Sequence, residues 1–464
     1  MTSVVEAVYT ASNDEVGVAR FSKKKLLFDI YNNEGAKTHN QFTILENKEY
    51  FIAKLQHDDL LKIFTIYSPK KTERIINCYI LDLGNKSLKK INLFKTVIEK
   101  RQGLFSGQNK RQTNWAISPN KAFFVFATDN IKKNSNSYKV HVFDSESMDL
   151  VYETTFFENT EHFFSSYDIA IDNDAKVYSI GKEYKNGRRE TNYTDGNPNY
   201  EIILNKISKD NTIVERIKLD ENQHITDLKI IQKENQLNLY SFYSEKIAGR
   251  ITGVNKFIVD KQDISIIESK KSKLPIEVFS DLYEKEKAEK KKEKELRSYY
   301  LDYVLEDDKG NTILMAEQFY ITEHYVNNGV NGGYWVTTSH YDDILIVKLN
   351  NEGEITWGRS ILKRATRPSY NGFLLDKKLH VLLNTGKKLK IKEDGRVKAS
   401  KRFLESTALY NYIYEENGDV SQEKIRENAG KTTFVPFLGN YHNRKFIMFN
   451  KSRDEKKVMI LTAK

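Results

Sequence analysis

Residues 344–361 read ILIVKLNNEGEITWGRSI and contain the unit from which the chain is built. A run of aliphatic residues, 344–349, meets the polar turn 350–353, and a second run rich in strand-forming residues, 355–361, follows. Strand formers on both sides of a turn of Asn and Gly, which tolerate positive φ, are typical of a β-hairpin. We therefore predict an antiparallel hairpin at these positions.

The pattern recurs along the chain. Six further hairpins of the same kind are predicted at residues 26–44, 78–93, 140–156, 202–219, 257–267 and 410–425. Two more strands precede most of them, as at 113–117 and 122–128 before the third hairpin. Four strands per unit, repeated at intervals of this kind, are the pattern of a β-propeller.

The prediction is therefore an all-β fold in which residues 1–464 form a single β-propeller domain of seven four-stranded blades. An eighth blade is the alternative, built from strands 432–438, 445–449 and 457–461 and completed by the N-terminal strand 4–10. A stack of separate β-sandwiches would require Gly-, Pro- or Ser-rich linkers, and none is visible.

One segment interrupts the repeat. Residues 275–298, between the fifth and sixth predicted blades, are rich in Glu and Lys placed three or four positions apart, which favours a solvated helix. We expect that helix at 281–296 and treat 275–298 as a charged helical insertion.

Composition excludes several classes of protein. The chain carries 74 Lys and Arg against 64 Asp and Glu, for a net charge of +10. No apolar run approaches the ~18–20 residues of a membrane span, so we predict a protein that does not span the membrane. A single cysteine, Cys78, rules out an intramolecular disulfide and a multi-cysteine zinc site, and we expect it to be a buried strand residue.

The N-terminal residues 1–14 contain neither the basic nor the apolar segment of a secretory signal peptide. Export to the periplasm or cell surface, after removal of a signal, is the favoured prediction. A cytoplasmic location remains the alternative.

Three segments resemble a family. Residues 341–357, YDDILIVKLNNEGEITW, preceded by residues 313–320, ILMAEQFY, are similar to a group of uncharacterised secreted proteins of Bacteroidota. Residues 249–260, GRITGVNKFIVD, are similar to the preceding blade of that group. The resemblance covers mainly the C-terminal half, and it implies a propeller fold and export without implying an activity.

Familiar motifs are missing from the sequence. The segment 351–357 departs from the Asp-box of sialidase-like propellers, and no repeated Gly-His and Trp-Asp pattern of a WD40 array occurs. There is no Gly-x-Ser-x-Gly, P-loop or His-Glu-x-x-His sequence. No catalytic residue is therefore assigned, although a pair of acid and base carboxylates at the mouth of a channel stays open.

Two long B–C connections, 182–199 and 322–340, are expected to share one face with the 275–298 insertion. Because long loops on a rigid scaffold usually carry binding, this face is the candidate binding surface. Its candidate residues are Arg188, Arg189, Tyr193, Asp195, His324, Tyr325, Tyr334, Trp335 and His340. Metal-ligand residue types also occur here (Glu323, His324, His340, Asp342, Asp343), but without metal-site spacing, so neither a metal nor a cofactor is predicted.

Positive charge is concentrated in residues 359–402, which hold 14 Lys and Arg and 3 Asp and Glu, a difference of 14 − 3 = +11. We predict a basic surface formed by Lys387, Lys388, Lys390, Lys392, Arg396, Lys398, Lys401 and Arg402. Such a surface attracts anionic partners, either an anionic surface or a glycan. Nucleic acid is disfavoured because interleaved aromatic residues are missing.

Three functions follow from these patterns. The leading hypothesis is a non-enzymatic, exported binding or scaffold propeller with a protein partner, as a subunit of a cell-envelope, outer-membrane or cell-surface assembly. The first alternative is an enzyme that hydrolyses glycans or esters with carboxylates at the channel mouth. The second alternative is an intracellular interaction propeller.

Overall fold

The structure is a computed structural model of the chain. It describes residues 4–22, 24–97, 113–132, 134–158, 161–192, 197–246, 249–294, 296–327, 333–393, 395–399, 406–428, 433–452 and 456–462. These residues fall into two compact units, the first formed by residues 1–248 and 255–269 and the second by residues 249–254 and 270–464.

The first unit begins with four antiparallel sheets of four strands each. They are β1 (Val4–Thr10), β2 (Val16–Ser22), β3 (Lys25–Tyr31) and β4 (Lys37–Ile44); β5 (Tyr50–His57), β6 (Leu60–Tyr67), β7 (Glu73–Asp82) and β8 (Ser87–Val97); β9 (Thr113–Ile117), β10 (Phe123–Lys132), β11 (Ser135–Asp144) and β12 (Leu150–Phe156); and β13 (Phe163–Ile171), β14 (Val177–Tyr184), β15 (Glu201–Ile207) and β16 (Thr212–Ile217).

A fifth sheet, mostly in the first unit, contains β17 (His224–Gln232), β18 (Gln236–Ser244), β20 (Gly253–Asp260) and β21 (Ile266–Lys273). The short strand β19 (Arg250–Ile251) pairs instead with β22 (Leu296–Arg297) in the second unit.

The second unit adds three more sheets in chain order. They are β23 (Tyr299–Glu306), β24 (Thr312–Asn327), β25 (Gly333–Leu349) and β26 (Ile355–Ile361); β27 (Tyr370–Leu375), β28 (Lys378–Gly386), β31 (Thr407–Tyr414) and β32 (Val420–Glu427); and β33 (Asn440–His442), β34 (Lys445–Phe449) and β35 (Val458–Thr462). A small hairpin, β29 (Lys390–Ile391) and β30 (Val397–Lys398), follows β28.

The predicted all-β propeller is confirmed. Eight sheets follow one another as blades, so the eighth blade that the sequence left open is present, with three strands among the described residues. The N-terminal strand does not complete it: β1 pairs with β2, from Val4 opposite Phe21 to Thr10 opposite Val16. The first sheet therefore already uses the strand that the eighth-blade hypothesis needed.

Apolar side chains are buried between consecutive sheets. In the first unit one such layer joins the first and second sheets through residues such as Phe28, Ile63 and Leu81. In the second unit Met315 and Ile346 meet Val381 between the sixth and seventh sheets. Because side chains alternate along each strand, both faces of an inner strand are buried this way, which stabilises the fold through apolar burial. Cys78 is buried in a layer between the second and third sheets, as predicted.

The charged insertion contains two helices, α1 (Ile276–Ser280) and α2 (Lys285–Lys294), where one helix over 281–296 was expected. That expectation is wrong at the start of the segment for a specific reason. The Leu282 carbonyl accepts a hydrogen bond of 2.8 Å from Arg396 Nη1, and the Asp281 carboxylate binds Arg359. These tertiary contacts hold a turn between the helices. No helix in the described part of the chain is long and apolar enough to cross a membrane.

Candidate active-site cavity

A cavity of about 780 Å³ opens in the second unit, between the helical insertion and the sixth sheet. Its walls are the turn before α2, the middle of the β24–β25 hairpin, the chain after β26, and the β29–β30 hairpin. Among the described residues, eight basic side chains line it and three acidic ones, Glu284, Asp342 and Asp343. The basic residues are Arg250, Lys287, Lys291, Arg297, Arg364, Lys392, Arg396 and Lys398.

A β-bulge brings the two consecutive aspartates to this cavity. Across the β24–β25 pair, Glu317 lies opposite Ile344 and Phe319 lies opposite Tyr341. Asp342 and Asp343 together therefore face the single residue Gln318 on the other strand. In a regular strand, successive side chains point to opposite faces, but a bulge changes the direction of one of them. Both aspartates and Gln318 consequently line the same cavity.

A hydrogen bond and a ring stack fix the position of Asp342. Tyr320 Oη donates to Asp342 Oδ2 at 2.7 Å, and the Tyr320 ring stacks on His340 with centroids 4.5 Å apart. His340 Nε2 lies 2.8 Å from Thr322 Oγ1. Burial and the hydrogen-bonded Asp342 carboxylate raise the pKa of Tyr320, so its hydroxyl keeps its proton and remains a donor.

Asp343 is partly buried, and its Oδ1 accepts the backbone N–H of Lys363 at 3.0 Å. Burial raises the pKa of Asp343 to about 7, and repulsion from the Asp342 carboxylate acts in the same direction. A carboxyl group with such a pKa can hold a proton near neutral pH and can give it to a bound substrate.

Lys363 joins this aspartate to the interior of the sheet. Its Nζ donates to Glu317 Oε1 at 2.6 Å and to the Tyr341 carbonyl at 2.7 Å, and both charged side chains are almost fully buried. Burial raises the pKa of Glu317 to about 7, against the opposing effect of Lys363. The same residue therefore neutralises a buried carboxylate with its side chain and orients Asp343 with its backbone.

Arg188 and Arg189, from the predicted binding face, are exposed on a short 3₁₀ helix, Arg188–Asn192, in the first unit. The Arg188 guanidinium lies 6.0 Å from the centre of the Phe163 ring. Tyr193 and Asp195 lie outside the described residues.

The expectation that 322–340 is a loop is wrong, because β24 and β25 continue as a paired ribbon to Asn327 and Gly333. The register of this ribbon places Tyr325 opposite Trp335, Val326 opposite Tyr334 and His324 opposite Val336. Among the candidates whose side chains the structure describes, His340 is connected to the cavity, through Tyr320.

The predicted basic surface divides into two parts. Lys392, Arg396 and Lys398 line the cavity. Lys388 and Lys390 are exposed, and Lys387 forms an ion pair with Glu427 at 2.9 Å. The remaining two residues of the prediction, Lys401 and Arg402, lie outside the described residues.

Sequence reasoning did not assign Tyr320 or Lys363 to a site, and it considered Asp343 only as a metal-ligand residue type. One signal was visible: two consecutive acidic residues stand directly before the buried strand segment 344–349. The bulge that turns both of them to one cavity depends on pairing with β24 and could not be read from the pattern. Within the described part of the chain, no group of His, Cys, Asp and Glu has the arrangement of a metal site.

The comparisons with known proteins assign no family to this chain. No family model matches the chain, and no curated protein matches it. Among solved structures, a prolyl endopeptidase matches with a TM-score of 0.42 and 9% identity over 98% of this chain and 55% of its own. The acylaminoacyl peptidase of Pyrococcus horikoshii matches with a TM-score of 0.39 and 12% identity over 89% of this chain and 50% of its own. The chain thus spans about half the length of these two proteins.

A third match is the β-propeller domain of the trilobed protease from Pyrococcus furiosus, with a TM-score of 0.38, 10% identity, and coverage of 91% of this chain and 98% of that one. The prediction of a non-enzymatic binding or scaffold propeller is wrong against these three structures, which are peptidases or part of a protease.

Proposed function

We propose that the chain is a hydrolase that cleaves a glycosidic bond in the cavity of the second unit. The observation that carries this proposal is the pair Asp342 and Asp343, which the β-bulge opposite Gln318 turns toward the same cavity. Glycoside hydrolysis typically uses two carboxyl groups on either side of the scissile bond, one of them protonated.

The two aspartates have different surroundings, which suits two different roles. Asp343, whose pKa is raised to about 7, is the proton donor to the oxygen of the leaving group. Asp342, oriented by the Tyr320 hydroxyl, is the carboxylate that activates water or attacks the anomeric carbon. The anomeric configuration of the first product shows which of these two roles Asp342 has.

Export is a separate part of the proposal. It is supported by the similarity of residues 313–320 and 341–357 to secreted proteins of Bacteroidota, and it would place the enzyme where polysaccharides are found. Fractionation of the native cells, followed by detection of the chain in periplasm, outer membrane and cytoplasm, tests this part independently of activity.

The experiment for the catalytic part is a screen of the purified chain against neutral and acidic oligosaccharides, with release of reducing ends as the readout. D343N and D342N should each lower kcat by about 10²–10⁴-fold on any substrate that the wild type cleaves. D308N is the matched control, because Asp308 is exposed on the turn between β23 and β24 and does not line the cavity.

Turnover that D343N and D342N leave unchanged would contradict the assignment of these residues. Absence of turnover by the wild type on every member of the panel would contradict glycoside hydrolysis. Melting temperatures of all variants are measured in parallel, so that a loss of folding is separated from a loss of chemistry.

A further inference from the structure

Among the described residues, basic side chains outnumber acidic ones in the lining of the cavity. In the β29–β30 hairpin, Lys390 lies directly opposite Lys398. The Lys398 backbone forms a parallel bridge with Leu362, two residues before Arg364. Like charges opposite one another on paired strands are destabilising. Repulsion between these two lysines therefore destabilises the hairpin.

The neighbouring positive charges also affect the pKa of Lys398. Its pKa is lowered, first by burial and then by the positive charges of Arg364, Lys392 and Lys390. The Asp343 carboxylate opposes this effect, and burial keeps that group partly protonated near neutral pH.

Other basic residues of the cavity already have structural roles. Arg396 Nη1 donates to the Leu282 carbonyl at 2.8 Å, and its Nη2 lies 3.5 Å from Glu284. Lys287 and Lys291 lie over the ring of Tyr283, with Nζ 5.6 and 5.5 Å from its centre. These contacts build the wall of the cavity on the side of the helical insertion. Arg364, Lys392 and Lys398 line the cavity as well, and the charges of Arg364 and Lys398 lie close enough to Asp343 to interact with it.

We infer that the cavity takes an acidic glycan, and that Arg364, Lys392 and Lys398 bind the carboxylate or sulfate groups of its sugars beside the bond at Asp342 and Asp343. This inference rests on the proposed glycoside hydrolysis for the choice of a sugar, and on the charge of the cavity for the choice of an acidic one. A guanidinium binds carboxylate or sulfate through two parallel hydrogen bonds, and an ammonium adds a point charge. A bound anion would offset the repulsion between the strands.

The test is direct binding, measured by calorimetry without reference to turnover. The probes are a galacturonic acid hexamer, a sulfated heparin hexasaccharide and neutral maltohexaose. The wild type should bind at least one acidic hexamer and not the neutral one, with an affinity that falls as salt is raised. The double variant R364Q/K398Q should bind it at least about tenfold more weakly, as expected for the loss of two charge-assisted contacts.

Two further variants keep the result interpretable. K392Q, on the turn of the hairpin, should weaken binding and flatten the salt dependence even if the double variant fails to fold. K388Q removes the same charge from an exposed position of the basic segment outside the cavity, and should bind like the wild type.

The outcomes separate this inference from the proposed function. Equal binding of neutral and acidic hexamers, or no binding of either acidic hexamer, overturns the inference, and so does a K392Q variant with unchanged affinity and salt dependence. Hydrolysis of a neutral glycan would at the same time uphold the proposed function. Conversely, selective binding of an acidic hexamer that is never cleaved supports the anion site and contradicts hydrolysis.

Discussion

Arg359 and Asp281 form a two-point ion pair, with Nε 2.8 Å from Oδ2 and Nη2 2.9 Å from Oδ1. Arg359 lies on β26, and Asp281 follows the last residue of α1, so the contact ties the helical insertion to the sixth sheet. Asp281 Oδ2 also accepts the backbone N–H of Ser360 at 2.9 Å. The turn that begins at Leu282 is held by this contact, and that turn is one wall of the cavity.

Replacement of Asp281 by Ala should therefore destabilise the second unit. The change leaves a partly buried Arg359 without its carboxylate and Ser360 without an acceptor, which should cost about 1–3 kcal/mol. Thermal unfolding measures this loss. E289A is the control, because it removes an exposed carboxylate from α2 in the same insertion. Equal melting temperatures of D281A and E289A would show that the ion pair does not hold the insertion.

The pH dependence of stability should contain a contribution from Asp129 in the first unit. Asp129 is buried, its Oδ1 accepts Asn136 Nδ2 at 3.0 Å, and burial raises its pKa to about 7. Between about pH 4 and pH 7 the folded chain keeps a proton that the unfolded chain has lost. The free energy of unfolding therefore falls as pH rises through this window, by up to about 4 kcal/mol for this group.

The variant D129N isolates this effect, because its amide does not titrate. Relative to the wild type, D129N should gain stability between pH 5 and pH 8, whereas D210N, on an exposed turn of the same unit, should not. Denaturant unfolding at both pH values is the measurement. A wild type and D129N that change in parallel with pH would mean that Asp129 ionises in the folded chain as it does in the unfolded one.

Gly181 should not tolerate a side chain. A Cβ at this position of β14 would overlap the Ser165 carbonyl oxygen on the neighbouring strand and come within 2.8 Å of the Phe164 ring. A backbone atom cannot move aside without strain. G181A should therefore lower the free energy of unfolding by about 1–3 kcal/mol or more. G84A is the control, since the nearest atom to a Cβ there is 3.5 Å away. Similar melting temperatures of the two variants would contradict the close approach.

Activity should decline on the alkaline side of neutrality. The proposed proton donor, Asp343, has a pKa raised to about 7. The protonated form that the reaction needs is therefore lost as pH rises past this value. A profile of kcat/KM against pH on a cleaved glycan should therefore fall above about pH 7. A profile that stays level to pH 9 would assign the proton donor to another group.

Much of the fold could be predicted from the sequence because each hairpin is a local structure. Strand formers on both sides of a turn with Gly or Asn, as at 344–361, depend on contacts within a few residues, and the seven predicted hairpins are all found as neighbouring strands. The basic segment 359–402 was equally visible, since charge can be counted along a chain.

The site could not be predicted because it depends on partners far apart in sequence. Asp342 and Asp343 reach one cavity because their strand bulges opposite Gln318, and the cavity exists because Asp281 binds Arg359 and Arg396 binds the Leu282 carbonyl. The same reason explains the error at 322–340, where cross-strand pairing made a ribbon out of an expected loop. Short-range propensity alone determined the hairpins and their repeat. Tertiary contact alone decided which charges face each other, since register, burial and ion pairing arise only when distant strands meet.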